Sequence, residues 1–308
     1  MNENIQKLKD NIFNGFVGKE EVVENVIIAL LSGGHLLIED VPGVGKTTLA
    51  KLLAKSVDVS LARIQFTPDT LPSDIIGVSV FDAETSDFRI VKGPIHNQIV
   101  IADEINRASP KTQSALLEAM EEKQVTIDGQ TFPLKDPFMV IATENPAEHI
   151  GTYPLPEAEL DRFLMKLSIG YPDMDNQKLL AKKYLDGVLD EEVKPVLTAE
   201  EVINMREEVR KVIITDEIIE YALTVVEKTR NLSELEYGLS PRAGLDLLIS
   251  SKAQAYIMGR DYVIPEDVIK MVKLVLPHRM VLTTQALMNK YTGRQLITEV
   301  LEKTARPK

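Results

Sequence analysis

Two kinds of hydrophobic spacing divide this chain. Up to about residue 170, short apolar runs alternate with stretches whose apolar positions recur every three or four residues, a pattern that predicts a parallel sheet covered by helices. Val22, Val23, Val26, Ile27, Leu30 and Leu31 recur at helical spacing. His35 to Glu39 is apolar in its middle and runs straight into a Pro/Gly turn, which reads as a buried strand. Gln98 to Ala102 and Phe138 to Ala142 read the same way. A helix is expected to begin near Lys46 and turn Leu49, Leu52 and Leu53 inward. Ser109-Pro110 offers an N-cap and a first-turn proline for a helix carrying Leu116, Leu117 and Met120. Two segments alternate like hairpins: Val78 to Val91 around Glu84-Thr85-Ser86-Asp87, and Val125 to Leu134 around Asp128-Gly129.

After Gly170-Tyr171-Pro172-Asp173 the strand signal disappears. Helical spacing covers Thr198 to Lys211, Thr215 to Arg230, Ser240 to Gly259 and Pro265 to Leu276, each opening on Thr, Ser or Pro. The expected division is an α/β domain over 1–172 and an all-α domain over 173–308. Met271, Met280 and Met288 are expected in the helical core. Glu20-Glu21, Glu121-Glu122 and Asp190-Glu191-Glu192 read as solvated helix faces, and His149 and Tyr153 as polar loop residues.

Chemistry enters between the first strand and the helix at Lys46. Asp40-Val41-Pro42-Gly43-Val44-Gly45-Lys46-Thr47 sits where a phosphate-binding loop belongs, although the strict pattern has glycine in place of Asp40. Gly43 and Gly45, with Val44 between them and Pro42 just before, let the backbone curl so that successive N–H groups point at phosphate oxygens, and the helix dipole adds to the attraction. Lys46 is expected on the β- and γ-phosphates, the Thr47 hydroxyl on magnesium, and Thr48 capping the phosphate nest. The strand Ile99-Val100-Ile101-Ala102 ends in Asp103-Glu104, and a parallel sheet gathers its strand ends beside the ligand. Asp103 then suits magnesium, and Glu104 suits polarisation of the attacking water. The cofactors implied are ATP and Mg2+.

Composition narrows the class further. A net charge of −12 over 308 residues disfavours non-specific nucleic-acid or lipid binding, and the absence of cysteine removes disulfides and thiol chemistry. Four scattered histidines disfavour a transition-metal site. The polar start Met1-Asn2-Glu3-Asn4 lacks a basic leader and an apolar core, so a cytoplasmic location without membrane insertion is expected.

Three strings resemble the MoxR family of AAA+ ATPases: Asp103 to Met120, Phe66 to Asp74, and Leu155 to Phe163. The resemblance runs from Val17-Gly18 to Leu276-Pro277-His278-Arg279, and the family tolerates Asp at the first loop position. It implies an α/β AAA+ core with strand order 5-1-4-3-2 and helices on both faces, followed by a C-terminal all-α lid. The two hairpins then correspond to the helix-2 insert and the pre-sensor hairpin. By carry-over, Val17 and Gly18 border adenine, Asn145 is sensor 1, Arg162 is the arginine finger reaching a neighbouring copy, and Arg242 is sensor 2. The implied assembly is a homo-oligomeric ring, commonly a hexamer. Its implied work is chaperone-like remodelling of protein clients, often with a von Willebrand factor A domain partner. An alternative is a nucleic-acid motor of the MCM-like class, which shares both inserts; the −12 charge weighs against it. The resemblance assigns no role to Asn106 or Arg107.

Overall fold

A computed structural model describes residues 2–146, 152–186 and 193–307. His149 and Asp190-Glu191-Glu192 lie outside the described residues. The chain opens with two helices, α1 (Glu3–Gly15) and α2 (Glu20–Ser32), and then strand β1 (Leu36–Glu39) and helix α3 (Lys46–Ser56). Strand β2 (Leu61–Gln65) and the short helix α4 (Pro72–Ile76) lead into a hairpin of β3 (Gly77–Asp82) and β4 (Asp87–Lys92). Strand β5 (Ile99–Asp103) and helix α5 (Pro110–Glu122) precede a second hairpin, β6 (Gln124–Ile127) with β7 (Gln130–Pro133). Strand β8 (Met139–Glu144), helix α6 (Glu157–Leu160) and strand β9 (Met165–Leu167) complete the first part.

Five of these strands form one parallel sheet in the order β2-β5-β8-β1-β9, which is 5-1-4-3-2 when they are renumbered within the sheet. Alternate residues enter different cores, as strand geometry demands. Leu36, Ile38, Ile99, Ile101, Met139 and Ile141 face a cluster with α1, α2 and α3. Leu37, Val100, Ala102, Val140 and Ala142 face a second cluster with α5. Burial on both faces explains why β5 and β8 are continuously apolar in sequence. Helix α5 starts where Ser109 accepts the Thr112 N–H and Pro110 occupies the first turn. Both hairpins turn where alternation places them, pairing Phe81 with Phe88 and Ile127 with Gln130. At the tip of the first, Phe81 and Phe88 pack edge to face at 5.3 Å and stay exposed.

The rest is chiefly helical: α7 (Met174–Leu185), α8 (Ala199–Lys211), α9 (Asp216–Thr229), a strand β10 (Leu235–Tyr237), α10 (Pro241–Ile257) and α11 (Pro265–Val275). A strand β11 (Val281–Leu282), α12 (Thr284–Met288) and α13 (Gly293–Glu302) follow. The expected loss of all strands after residue 170 needs correction, since β10 and β11 pair as an antiparallel ribbon. Runs of two and three residues are too short to show a period. Helix α8 carries a complete capping box between Thr198 and Glu201. Met271 and Met280 are buried as expected, but Met288 is 79% exposed at the end of the five-residue α12.

The helical part shares the first hydrophobic cluster with α1, α2 and α3 rather than forming a separate core. Arg206 of α8 joins the two parts, donating to the Leu30 carbonyl at 2.8 Å and to Asp136 at 2.6 Å. Among the described residues no helix is long and apolar enough to cross a membrane.

Candidate nucleotide site

The sheet brings its strand ends to one edge, and the loop leaving β1 wraps that edge. Gly43 and Gly45 hold φ of +85° and +90°, a region costly for any side chain, and Gly45 is the N-cap of α3. The N-cap makes no side-chain bond to the first turn of α3, and a helix start of that kind suits an anion. Lys46 donates to the carbonyl of Asp40 at 2.7 Å, which folds the ammonium back over the loop. Burial pushes its pKa down, against the pull of Asp40, Asp103 and Glu104.

Asp40 explains its own departure from glycine. Its side chain is buried, and Oδ2 accepts the Gly170 N–H at 2.7 Å and the Ser168 hydroxyl at 3.1 Å. The first loop residue is thereby tied to the chain just after β9.

Asp103 closes β5 and is 6% exposed. Its Oδ1 accepts the Thr143 hydroxyl at 3.1 Å, while Oδ2 accepts Arg63 Nε at 2.6 Å and the Thr47 hydroxyl at 3.4 Å. Glu104 follows in the left-handed region (φ 57°, ψ 50°), a strained backbone state for a glutamate of the kind that clusters at functional sites. Its N–H donates to Thr143 Oγ1 at 3.0 Å. Its Oε2 accepts Gln65 Nε2 at 3.0 Å and Arg107 NH1 at 3.1 Å. Asn145 is buried directly after β8.

Val17 and Gly18 line a cleft of about 350 Å³ together with Gly43, Val44, Gly45, Thr48, Gly170, Tyr171 and Leu180. That volume lies in the range of small-ligand and cofactor pockets. The Thr47 hydroxyl and the Asp103 carboxylate are hard oxygen donors set side by side, the donor type magnesium takes when phosphates and water supply the rest. The residues therefore fit the ion.

Arg162 and Arg242 do not line this cleft. They meet elsewhere: Arg162 Nε forms an ion pair with Glu121 Oε2 at 2.9 Å, and Arg242 NH1 donates to Glu121 Oε1 at 3.1 Å. Glu121 lies on the exposed helix face expected of it, and it pairs there with both arginines. Sequence reasoning also missed Arg63 and Gln65, because Leu61-Ala62-Arg63-Ile64-Gln65 alternates too weakly to mark β2. Their spacing of two on one strand puts both on one face, beside the two acids. Arg107, without a role at the outset, is a partner of Glu104.

A strand-bound phosphate loop, two acids at the neighbouring strand end and a following helical part define an AAA-type ATPase module. Comparison with known proteins agrees. Residues 35–165 match the model of the ATPase family associated with various cellular activities, and residues 227–300 match an AAA lid domain. The chain is 41% identical to Chaperone MoxR1 of Mycobacterium tuberculosis, covering 94% of this chain and 79% of that protein. It is 46% identical to the Bacillus subtilis protein YeaC over 96% of this chain and 92% of that one. A crystal structure of a candidate ATPase from Cytophaga hutchinsonii superposes with a TM-score of 0.93 at 38% identity, covering 99% and 95% of the two chains. The chain belongs to the MoxR family of AAA+ ATPases.

Proposed function

We propose that this chain hydrolyses ATP with magnesium in a ring of its own copies, commonly six, and that the ring remodels client proteins. The observation that carries the reading is the convergence of Lys46, Thr47, Asp103 and Glu104 on one edge of the sheet, beside a helix start with no side-chain cap bond. Residues 1–172 serve as the catalytic core and 173–308 as the lid.

Adenine lies against Val17 and Gly18, and the phosphates lie along Pro42 to Thr48. Lys46 leaves the Asp40 carbonyl for the β- and γ-phosphates. Thr47 and Asp103 would hold a magnesium ion, which would offset charge on the phosphate oxygens. Glu104 and Asn145 align a water; Glu104 takes its proton as the water oxygen bonds the γ-phosphorus, and the bond to the ADP oxygen breaks. Charge that develops there is met by Arg162 of the adjoining copy. Arg242 shares a carboxylate with Arg162, which supports its action on that same neighbouring site rather than on its own.

Family membership and the relative named Chaperone MoxR1 support the chaperone reading. A von Willebrand factor A domain protein is the partner proposed. The exposed Phe81 and Phe88 at the first hairpin's tip suit contact with such a partner or client.

The test is nucleotide binding and turnover by purified protein with magnesium. Wild type is expected to hydrolyse ATP, Lys46→Ala to lose ATP affinity, and Glu104→Gln to bind ATP while turning over about a hundredfold or more slower. Unchanged turnover in Glu104→Gln, or no affinity of wild type for magnesium ATP, overturns the proposal. Light scattering of Glu104→Gln with ATP tests ring formation.

A further inference from the structure

Glu121 is placed where helix physics gives it no reason to be. It lies in the last turn of α5, beside Glu122 and one turn from Glu118, where the helix dipole disfavours negative charge. What it touches accounts for it. One carboxylate takes two guanidinium groups, Arg162 on Oε2 at 2.9 Å and Arg242 on Oε1 at 3.1 Å. Two arginines side by side repel one another, and an anion between them lowers that repulsion. Arg162 comes from the α/β core and Arg242 from the second residue of α10 in the helical part, so the carboxylate joins the two parts.

Neighbouring contacts fix the same junction. Ser240, the N-cap of α10, donates its hydroxyl to Asp161 Oδ2 at 3.0 Å, and Arg279 donates to Asp161 Oδ1 at 3.0 Å. Tyr237 donates its hydroxyl to Glu157 at 2.9 Å. Among the described contacts Arg162 uses only Nε and Arg242 only one terminal nitrogen, so donors on both forks stay open to an anion. The three side chains are 28%, 39% and 43% exposed for Arg162, Arg242 and Glu121, which leaves the group facing outward.

We infer that Glu121 is a positioning residue: it holds Arg162 and Arg242 as one two-arginine unit presented to the γ-phosphate of a neighbouring copy. This rests on the ring reading above. The inference gives Glu121 a direction, since it serves the site next door and not the site in its own chain.

Mixed assemblies test that direction. Lys46→Ala subunits supply intact arginines but bind no nucleotide; Arg162→Ala subunits bind nucleotide but supply no finger. Their mixture is expected to recover turnover. Adding Glu121→Gln to the Lys46→Ala subunit is expected to cut the recovered rate about tenfold, as small misplacements of catalytic groups do. Adding it to the Arg162→Ala subunit is expected to leave the recovered rate within about twofold. Thermal unfolding of each double variant separates misfolding from misplacement, and Glu121→Asp, which keeps the charge on a shorter arm, is expected to restore part of the rate. A loss that follows the Arg162→Ala subunit, or no loss in either arrangement, overturns the role of Glu121. No recovery in the parent mixture overturns the ring reading and this inference with it.

Discussion

Arg107 NH1 lies 3.1 Å from Glu104 Oε2, and the same oxygen takes Gln65 Nε2 from β2 at 3.0 Å. The acid proposed to ready water is therefore held from two sides. Gln65 is exposed and uncharged, and its Oε1 also accepts Arg63 NH2 at 3.0 Å. A single hydrogen bond of this kind contributes about 1 kcal/mol, so Gln65→Ala is expected to raise unstimulated ATP turnover by up to about fivefold. Steady-state phosphate release measures it. A fall in rate instead shows that Gln65 aligns Glu104 for attack.

Arg63 competes for the carboxylate that suits magnesium, since its Nε stands 2.6 Å from Asp103 Oδ2. The arginine side chain is 52% exposed, which keeps the pair weak, about 0.2–1 kcal/mol. Arg63→Ala is expected to lower the magnesium concentration for half-maximal turnover roughly twofold to fivefold. Magnesium titration at saturating ATP reads this directly. A higher requirement in the variant contradicts competition.

Acid should loosen the fold through two imidazoles. His35 accepts the Val140 N–H at Nδ1, and burial lowers its pKa from 6.5 to about 4. His278 faces the Phe163 carbonyl, and burial with the nearby Arg279 charge lowers its pKa to about 3. Both folded values lie below the unfolded one. The unfolded chain therefore gains protons first as pH falls through 6.5, and stability drops until the folded groups titrate. At pH 5 each histidine costs about 2 kcal/mol relative to pH 8. Denaturant unfolding across that range, repeated with His35→Gln, is expected to show a shallower pH slope in the variant; an identical slope removes His35 from the account.

Arg279 is nearly fully buried and donates to Asp161 at 3.0 Å, to Asp246 at 2.7 Å and to the Phe163 carbonyl at 2.9 Å. Losing it strands two carboxylates and a carbonyl between core and lid. Arg279→Leu is expected to cost about 3–5 kcal/mol. Differential scanning calorimetry checks this, and a melting temperature unchanged from wild type refutes it.

Much of this architecture can be read from the residues. The apolar runs in β1, β5 and β8 are legible because both faces are buried, and the loop at Gly43 to Thr47 because only glycine accepts its backbone. Helix α1 is harder to see, since the buried Lys9 interrupts its face; that ammonium is held by Glu20 and Glu24 at 2.6 and 2.9 Å. Partners distant in sequence are not legible at all. Nothing local marks Glu121 as the meeting point of residues 41 and 121 positions further along the chain (162 − 121 and 242 − 121). Sequence spacing reports which face a side chain occupies, but not what the fold brings against it.

The tether from Asp40 to Gly170 has a mechanical meaning. Lys46 hangs from the carbonyl of the same residue whose carboxylate grips the chain at 168 and 170, a few residues before α7 begins. On the proposed reading, an ammonium that leaves for a triphosphate lets go of a residue whose carboxylate stays fastened at the threshold of the helical part. Glycine, the commoner occupant of that position, has no arm with which to transmit the pull.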